Sequence, residues 1–116
     1  MRILITGGSG FIGTNLTDYF ATRGDEVLNY DVAAPRNAAH FDCWQAGNLL
    51  DGGALKAVVR DFAPEAMLHM GARTDLDGRS AADYAANSIG VENLIAAVEG
   101  TTSLKRLIFA LSLIHI

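Results

Sequence analysis

The amino-acid sequence predicts an α/β fold built on a parallel sheet. Short apolar runs alternate with segments of helical periodicity along the whole chain, which is the pattern of βαβ units. A glycine-rich loop, Gly7–Gly13, directly follows the first apolar run, and an aspartate, Asp31, ends the second. Right-handed crossovers between five such strands predict a doubly wound, Rossmann-type sheet of order 3-2-1-4-5. The ligand crevice is then expected at the carboxyl ends of strands one and four.

The first part of the chain is predicted to contain three strands and one helix. The strands are Arg2–Thr6, Glu26–Asp31 and Phe41–Gln45. Between the first two, a helix is expected over Phe11–Arg23, and Gly24 is its C-terminal stop. The side chains of this helix that are expected to face the sheet are Ile12, Leu16 and Phe20.

The second part is predicted to add two helices and two strands. Asp51 caps a helix that ends before Pro64, and the fourth strand follows over Ala66–Met70. Ser80 and Asp83 resemble a capping box that opens the last helix, and Lys105–Ala110 is the fifth strand. The expected buried stripes of the two helices are Leu55, Val58, Val59 and Phe62, and Val91, Leu94, Ile95 and Val98. Without a linker or an internal repeat, residues 1–110 are interpreted as one partial domain.

Composition and charge exclude several classes of partner. A net charge of −4 with scattered basic residues argues against nucleic acid and against an anionic membrane surface. No stretch approaches the ~20 apolar residues that a membrane helix needs. The single cysteine, Cys43, allows no intrachain disulfide, which favours a cytoplasmic location. Cys43 lies in an apolar stretch and is interpreted as a buried packing residue rather than a nucleophile. We predict no metal site.

The glycine-rich loop carries the most specific signal. Gly8, Gly10 and Gly13 satisfy G-x-G-x-x-G, and Gly7, Gly10 and Gly13 satisfy G-x-x-G-x-x-G. Glycines at these positions permit a tight turn, close approach of backbone N–H groups to a phosphate, and packing of the helix on the strand. The helix N-terminus adds partial positive charge toward a pyrophosphate. A P-loop is excluded, because Thr14 stands where that motif requires lysine.

Asp31 bears on the choice of cofactor. It lies eighteen residues after Gly13, near the spacing at which an acidic residue binds the adenosine ribose hydroxyls. A carboxylate there accepts hydrogen bonds from a ribose diol and repels a 2′-phosphate, so NAD is favoured over NADP. Arg36 could hold a 2′-phosphate, but we interpret it as a solvated loop residue.

The chain resembles the N-terminal part of an extended short-chain dehydrogenase/reductase, of the NAD-dependent epimerase/dehydratase group. The resemblance covers residues 1–110. It rests on five motifs in the family's order: Thr6–Gly13, Gly47-Asn48-Leu49 with Asp51, His69-Met70-Gly71-Ala72, Asn87-Ser88-Ile89-Gly90, and Lys105-Arg106-Leu107-Ile108-Phe109. Five ordered motifs are specific for the family and say little about its substrate.

The resemblance implies a cofactor-binding role for the matching residues. The glycines Gly7, Gly10 and Gly13 would surround the pyrophosphate, with backbone contacts from Phe11 and Ile12, and Asp31 would bind the ribose. Asn48 and Leu49 would flank the adenine, although the family more often has aspartate at the first position. Met70, Gly71 and Ala72 would run beneath the cofactor toward the nicotinamide ribose.

Other candidates are left open or assigned to structure. Asn87 lies on the sheet-facing side of its helix, so its amide either contacts the cofactor or fixes backbone of the fourth strand. His69 is interpreted as a structural residue of a buried strand. The charged side chains after the fourth strand, which are read as an exposed loop with substrate contact as the alternative, are Arg73, Asp75, Asp77 and Arg79.

The family's catalytic residues are missing from this sequence. Its chemistry uses a Tyr-x-x-x-Lys pair, whereas the tyrosines here are followed four positions later by Arg23, Ala34 and Ser88. The last six residues, Leu111–Ile116, match a translated sequencing adapter and are interpreted as read-through. We therefore predict no catalytic residue in the chain and an inactive fragment.

The resemblance implies a parent enzyme that passes a hydride between its substrate and NAD, with a nucleotide sugar as the expected small-molecule substrate. Family members often pair through helices on one sheet face, which implies a homodimer. The alternative is a non-catalytic NAD(P)-sensing protein of the same fold, and a third hypothesis is a reductase that prefers NADP.

Overall fold

The computed structural model describes residues 1–70 and 85–109, and these form a five-stranded parallel sheet with helices on both faces. The strands are β1 (Arg2–Thr6), β2 (Glu26–Asp31), β3 (Trp44–Ala46), β4 (Ala66–His69) and β5 (Arg106–Phe109). Their order is β3-β2-β1-β4-β5, which confirms the predicted topology. In the centre, Thr6 pairs with Tyr30 of β2 and with His69 of β4, so the carboxyl ends of three strands lie together.

Side chains of the strands alternate between two buried clusters, one on each face of the sheet. On one face, Ile3 and Ile5 of β1 pack with Leu68 of β4 beneath α1 (Phe11–Thr22). On the other, Leu4 and Met67 pack with α2 (Gly52–Phe62) and α3 (Ala85–Val98). Because successive side chains of a strand point to opposite faces, the near-continuous apolar runs of β1 and β4 supply both clusters.

The first helix matches its predicted range, but its buried side differs from the prediction. Gly13 and Thr17 are buried, Leu16 and Phe20 pack on the cluster beneath them, and Ile12 is 58% exposed. The contact of Gly13 with the glycine loop fixes the rotation of the helix. Ile12, one position earlier, therefore faces solvent. Gly24, with φ of 91°, follows the helix as predicted.

The predicted third strand is wrong over most of its length. Ala38–Cys43 form a 3-10 helix, and β3 covers only Trp44–Ala46. The Asn37 side chain accepts a hydrogen bond from the Ala39 N–H, which caps this turn, and His40 is buried within it. Cys43 is half-buried at the end of the turn, so it is less enclosed than the sequence suggested.

The other two helices pack against each other on the β3-β2-β1-β4-β5 sheet. They are α2 (Gly52–Phe62) and α3 (Ala85–Val98). Asp51 caps α2 as predicted, by accepting a hydrogen bond from the Ala54 N–H at 3.1 Å. On α3, Leu94 and Ala97 share a buried cluster with α2, while Ile95 is 44% exposed, contrary to prediction. Packing against α2 sets the rotation of α3 about its axis, because the apolar periodicity alone does not determine that rotation.

Several sequence predictions concern residues outside the described ranges. They include the Ser80–Asp83 capping box, the charged loop from Arg73 to Arg79, Ala110 and the Leu111–Ile116 tail. Within residues 1–70 and 85–109, no helix has the length and apolar character needed to cross a membrane.

Candidate functional site

The glycine loop is fastened between the ends of β1 and β2. Gly7 has φ of 72°, a left-handed conformation that favours glycine, and its N–H donates to the Tyr30 carbonyl at 3.0 Å. A Cβ at Gly13 would meet the Gly7 carbonyl oxygen and would lie 2.6 Å from the Gly8 Cα. The loop and the first turn of α1 are therefore in direct backbone contact, which only glycine permits at that position.

The N-terminus of α1 presents free backbone donors beside this loop. The first intrahelical bond runs from the Thr14 N–H to the Gly10 carbonyl at 2.8 Å. The N–H groups of Phe11, Ile12 and Gly13 precede it, and such groups have no intrahelical acceptor. Gly10, the N-cap residue, contributes no side-chain cap. Free N–H groups and the helix dipole make this end of α1 suited to a phosphate.

Asp31 lies at the end of β2 with its carboxylate held by backbone. The Ser9 N–H donates to Oδ2 at 3.0 Å, and the Ala33 N–H donates to Oδ1 at 3.1 Å. Each carboxylate oxygen has further acceptor capacity, so two ribose hydroxyls can still bind. The Asp31 carbonyl also accepts from the Trp44 indole Nε1 at 3.0 Å, which places the only tryptophan next to this residue.

A cavity of about 230 Å³ opens beside Asp31 at the carboxyl ends of the strands. Four of the predicted site residues line it together: Gly7, Asp31, Asn48 and Leu49. The remaining lining residues are Tyr30, Val32, Gly47 and Leu50. The cavity thus joins the glycine loop to the loop before α2, and apolar Val32 and Leu50 are exposed at its rim.

Tyr30 closes the floor of this cavity. Its ring fills the space where a Cβ on Gly47 would lie, which explains the glycine at that position. The phenol is buried, and its oxygen has no hydrogen-bond partner within the described residues. Burial and then the Asp51 charge raise the pKa of Tyr30. The backbone N–H of Asn48 points toward the phenol oxygen without forming a hydrogen bond to it, and it lowers the pKa in part. Tyr30 is therefore a neutral wall of the site.

The loop that carries Asn48 and Leu49 is held in place by α3. The Asn93 side chain donates from Nδ2 to the Leu49 carbonyl at 2.7 Å. A Cβ at Gly90 would lie 3.2 Å from the Leu49 Cβ, so the helix packs closely on this side chain. The Asn48 side chain turns back on its own loop and accepts from the Leu50 N–H at 2.9 Å. The part of the candidate site formed by Asn48 and Leu49 thus depends on α3 as well as on the sheet.

His69 and Met70 stand at the end of β4, on the other side of β1. His69 is buried, and its Nδ1 lies 2.7 Å from the Thr6 hydroxyl oxygen. Desolvation lowers the pKa of His69 below its ordinary 6.5, so the imidazole is neutral at neutral pH. The Met70 N–H donates to the Thr6 carbonyl at 2.8 Å. This geometry supports the structural interpretation of His69.

Some predicted site residues fall outside what the structure describes. These are Gly71 and Ala72, together with the side chain of Asn87, whose backbone belongs to α3. The sequence assigned no role to some other residues at the site: Asn29, Tyr30 and Asn93, together with Ser9 and Gly47, which lie within the quoted motifs. Asn29 gave the clearest signal, since it is a polar residue between Leu28 and Tyr30 in the interior of a predicted strand.

A second, larger cavity of about 540 Å³ lies elsewhere in the fold, between the C-terminal parts of α2 and α3. It contains none of the predicted site residues, and it includes Lys56, Arg60 and Glu99. Ligands of doubly wound folds bind at the carboxyl ends of the strands, so the smaller cavity beside Asp31 is the better candidate. In the described part of the chain, no cluster of three acidic, histidine or cysteine side chains is arranged to hold a metal ion.

Comparison with known proteins shows the family of the chain. Residues 3–114 match the family model described as the NAD dependent epimerase/dehydratase family. The chain belongs to this family. Among curated proteins, it is 34% identical over 104 residues to a 2-alkyl-3-oxoalkanoate reductase of Stenotrophomonas maltophilia, covering 84% of this chain and 29% of the reductase.

Two solved structures show the same fold with a dinucleotide bound. One is the Bordetella bronchiseptica enzyme WbmG in complex with NAD and UDP, at 31% identity and a TM-score of 0.77, covering 94% of this chain and 36% of that one. The other is UDP-glucose 4-epimerase from Brucella ovis in complex with NAD, at 26% identity and a TM-score of 0.79, covering 93% and 34%. The chain therefore spans about a third of the length of these relatives.

Proposed function

We propose that this chain is the NAD-binding part of an epimerase, dehydratase or related oxidoreductase that acts on a nucleotide sugar. The observation that carries the proposal is the placement of Asp31. Its carboxylate lies in the wall of a cavity at the carboxyl ends of the strands, and that cavity is continuous with the glycine loop. This is the arrangement that an adenosine ribose beside a pyrophosphate site requires.

The residues present fit an NAD molecule. The pyrophosphate would lie at the N–H groups of Phe11 and Ile12, where Gly10 leaves room for close approach. The ribose hydroxyls would donate to Asp31, and Asn48 and Leu49 would flank the adenine above Tyr30. Met70, Gly71 and Ala72 would continue toward the nicotinamide ribose, with Asn87 near them. The acidic residue in the ribose position supports NAD over NADP.

The chemistry of the proposed parent divides between the cofactor and the protein. When bound, NAD supplies a hydride acceptor at its nicotinamide ring. The residues of this chain would bind and orient that cofactor, with Asp31 at the ribose and the N-terminus of α1 at the pyrophosphate. Proton exchange with a substrate hydroxyl needs a Tyr-x-x-x-Lys pair, which these 116 residues do not contain. We therefore expect binding without turnover.

The substrate class rests on the relatives. WbmG was crystallised with UDP, and the Brucella ovis protein is named as an epimerase of UDP-glucose. The curated reductase from Stenotrophomonas maltophilia is named for a different kind of substrate, so the family also includes non-sugar enzymes. A nucleotide sugar is the class that both structural relatives favour.

The test of the proposed function is a titration with NADH followed by energy transfer from Trp44. This is the only tryptophan, and its indole is bonded to Asp31. Bound NADH at the proposed site would quench Trp44 emission at one equivalent, with NAD as competitor. A chain that shows neither quenching nor calorimetric heat with NADH refutes the proposal.

A second arm addresses the reaction. The gene extended downstream of Ala110 is expected to encode a Tyr-x-x-x-Lys pair and to convert UDP-sugars in a coupled assay. An extended protein that binds NAD but lacks the pair would favour the non-catalytic sensor instead. UDP-glucose turnover by the 116-residue chain would contradict the expected division of roles.

A further inference from the structure

Three hydrogen bonds link Ser9, Asp31 and Ala33 in a closed ring at the edge of the proposed ribose site. The Ser9 N–H donates to Asp31 Oδ2 at 3.0 Å, and the Ala33 N–H donates to Asp31 Oδ1 at 3.1 Å. The Ser9 hydroxyl then donates to the Ala33 carbonyl at 2.8 Å. The ring therefore joins the glycine loop to the first residues after β2.

A buried amide braces the ring from below. Asn29 is completely buried in β2, and its Nδ2 donates to the Ser9 hydroxyl oxygen at 3.0 Å. The Ser9 hydroxyl thus accepts one hydrogen bond and donates another, so its orientation is fixed. Asn29 Oδ1 lies against Gly8, since a Cβ on that glycine would overlap it. Asn29 is completely buried and Ser9 is nearly so, and neither residue belongs to the two apolar clusters.

The ring affects a ribose diol and a 2′-phosphate differently. A diol needs acceptors, and the Asp31 oxygens are held at fixed positions with lone pairs to spare. A 2′-phosphate needs donors, whereas the N–H groups of Ser9 and Ala33 already donate to the Asp31 carboxylate. The ring also holds the segment that leads to Arg36, the one basic side chain shortly after β2. Arg36 is exposed and joins none of the hydrogen bonds found among the described residues.

We infer that Ser9, braced by Asn29, is a positioning residue that sets the preference of this site for NAD over NADP. Ser9 acts through Asp31 and through the loop after β2, without itself contacting the cofactor through its side chain. The inference rests on the proposed function, because it concerns the dinucleotide site assigned there. It differs from the role of the Asp31 charge, since the variants that test it leave that charge in place.

The experiment measures the dissociation constants of NAD and NADP for the wild-type protein, Ser9→Ala, and the control Ser103→Ala. Ser103 offers a matched bond at the opposite end of the sheet, where its hydroxyl donates to the Pro64 carbonyl at 2.9 Å. For Ser9→Ala we expect NAD binding to weaken about five- to tenfold, the equivalent of one net hydrogen bond, with NADP binding unchanged or tighter. Ser103→Ala is expected to keep the wild-type ratio.

A double variant separates positioning from stability. Ser9→Ala alone leaves the Asn29 amide without its partner, which is destabilising. Ser9→Ala with Asn29→Leu replaces both polar groups by apolar ones and is expected to recover the urea midpoint. The NAD-to-NADP ratio should stay low, because the ring remains broken. This variant also keeps the test valid if Ser9→Ala does not fold.

Two outcomes overturn the inference. One is an unchanged NAD-to-NADP ratio in Ser9→Ala, and the other is a ratio that recovers together with stability in the double variant. Both leave the proposed function standing, provided that the wild-type protein binds NAD. A wild-type protein that binds neither dinucleotide contradicts the proposed function as well, so the two failures are distinguishable.

Discussion

Substitution of two glycines in the same loop by alanine should separate folding from cofactor binding. Gly10 has φ of −75° and ψ of −179°, which alanine adopts without strain. The nearest atom to a Cβ there is the Gly7 carbonyl oxygen at 3.5 Å, an ordinary contact. Alanine is a poorer N-cap than glycine, which destabilises the fold, but it also restricts the unfolded chain, which stabilises the fold. Because these two effects oppose each other, the free energy of unfolding should change by less than about 1 kcal/mol.

The same substitution should weaken NAD binding strongly. In the proposed complex, the added methyl group would obstruct the approach of the pyrophosphate to the N–H groups of Phe11 and Ile12. Displacement of one charge-assisted hydrogen bond costs about 1.5–3 kcal/mol, which corresponds to roughly a 10- to 150-fold rise in the dissociation constant. Gly10→Ala is therefore expected to be folded and binding-deficient.

Gly13→Ala is the matched control with the opposite expectation. Its Cβ would overlap the backbone of Gly7 and Gly8, with 2.6 Å to the Gly8 Cα, and backbone cannot move aside as a side chain can. Overpacking of this kind costs about 1–3 kcal/mol or more. We expect a lower urea midpoint for this variant.

Urea unfolding and NADH titration, both followed by Trp44 fluorescence, measure the two effects in one sample. Binding of NADH by Gly10→Ala as tight as that by the wild type would contradict the proposed position of the pyrophosphate. A Gly13→Ala protein as stable as Gly10→Ala would contradict the close backbone contact at Gly13, since the overlap would then have no energetic consequence.

Three further predictions concern other parts of the chain. Asn93→Leu removes the hydrogen bond to Leu49 and should weaken NAD and NADP equally, by several-fold in calorimetry. Because burial lowers the pKa of His69 in the folded protein, the unfolded chain binds a proton at a higher pH than the folded chain does. The free energy of unfolding should therefore decrease as the pH is lowered below about 6.5. In urea titrations across this range, His69→Gln should flatten that slope, and an unchanged slope would contradict the assignment. Burial raises the pKa of the Cys43 thiol, so aromatic disulfide reagents should react with it more slowly in the native protein than in urea.

The sheet topology could be predicted because few arrangements satisfy its constraints. Alternating strand and helix segments with right-handed crossovers restrict the strand order, and the positions of Gly7–Gly13 and Asp31 locate the crevice. The structure places Asp31, Asn48 and Leu49 around one cavity, although Asp31 ends β2 and the other two residues lie in the loop before α2. Parallel strands bring their carboxyl ends to one edge, so this proximity follows from topology.

The incorrect predictions concern places where the rotation of a helix or a local capping hydrogen bond determines the structure. An apolar period gives the width of a helix stripe, but packing sets its rotation, and for this reason Ile12 and Ile95 were assigned to the wrong side. Asn37 caps a 3-10 turn where the apolar character of Phe41–Gln45 indicated a strand. The link between Ser9 and Asn29 joins residues twenty apart and depends on how closely the loop approaches β2. No local pattern encodes that distance.

The most direct test of the account is a crystal structure of the protein soaked with NAD. We expect the adenine in the cavity between Asn48 and Tyr30, the ribose hydroxyls on the Asp31 carboxylate, and the pyrophosphate at the N-terminus of α1. NAD bound instead in the larger cavity between α2 and α3, beside Lys56 and Arg60, would contradict the assignment of the site.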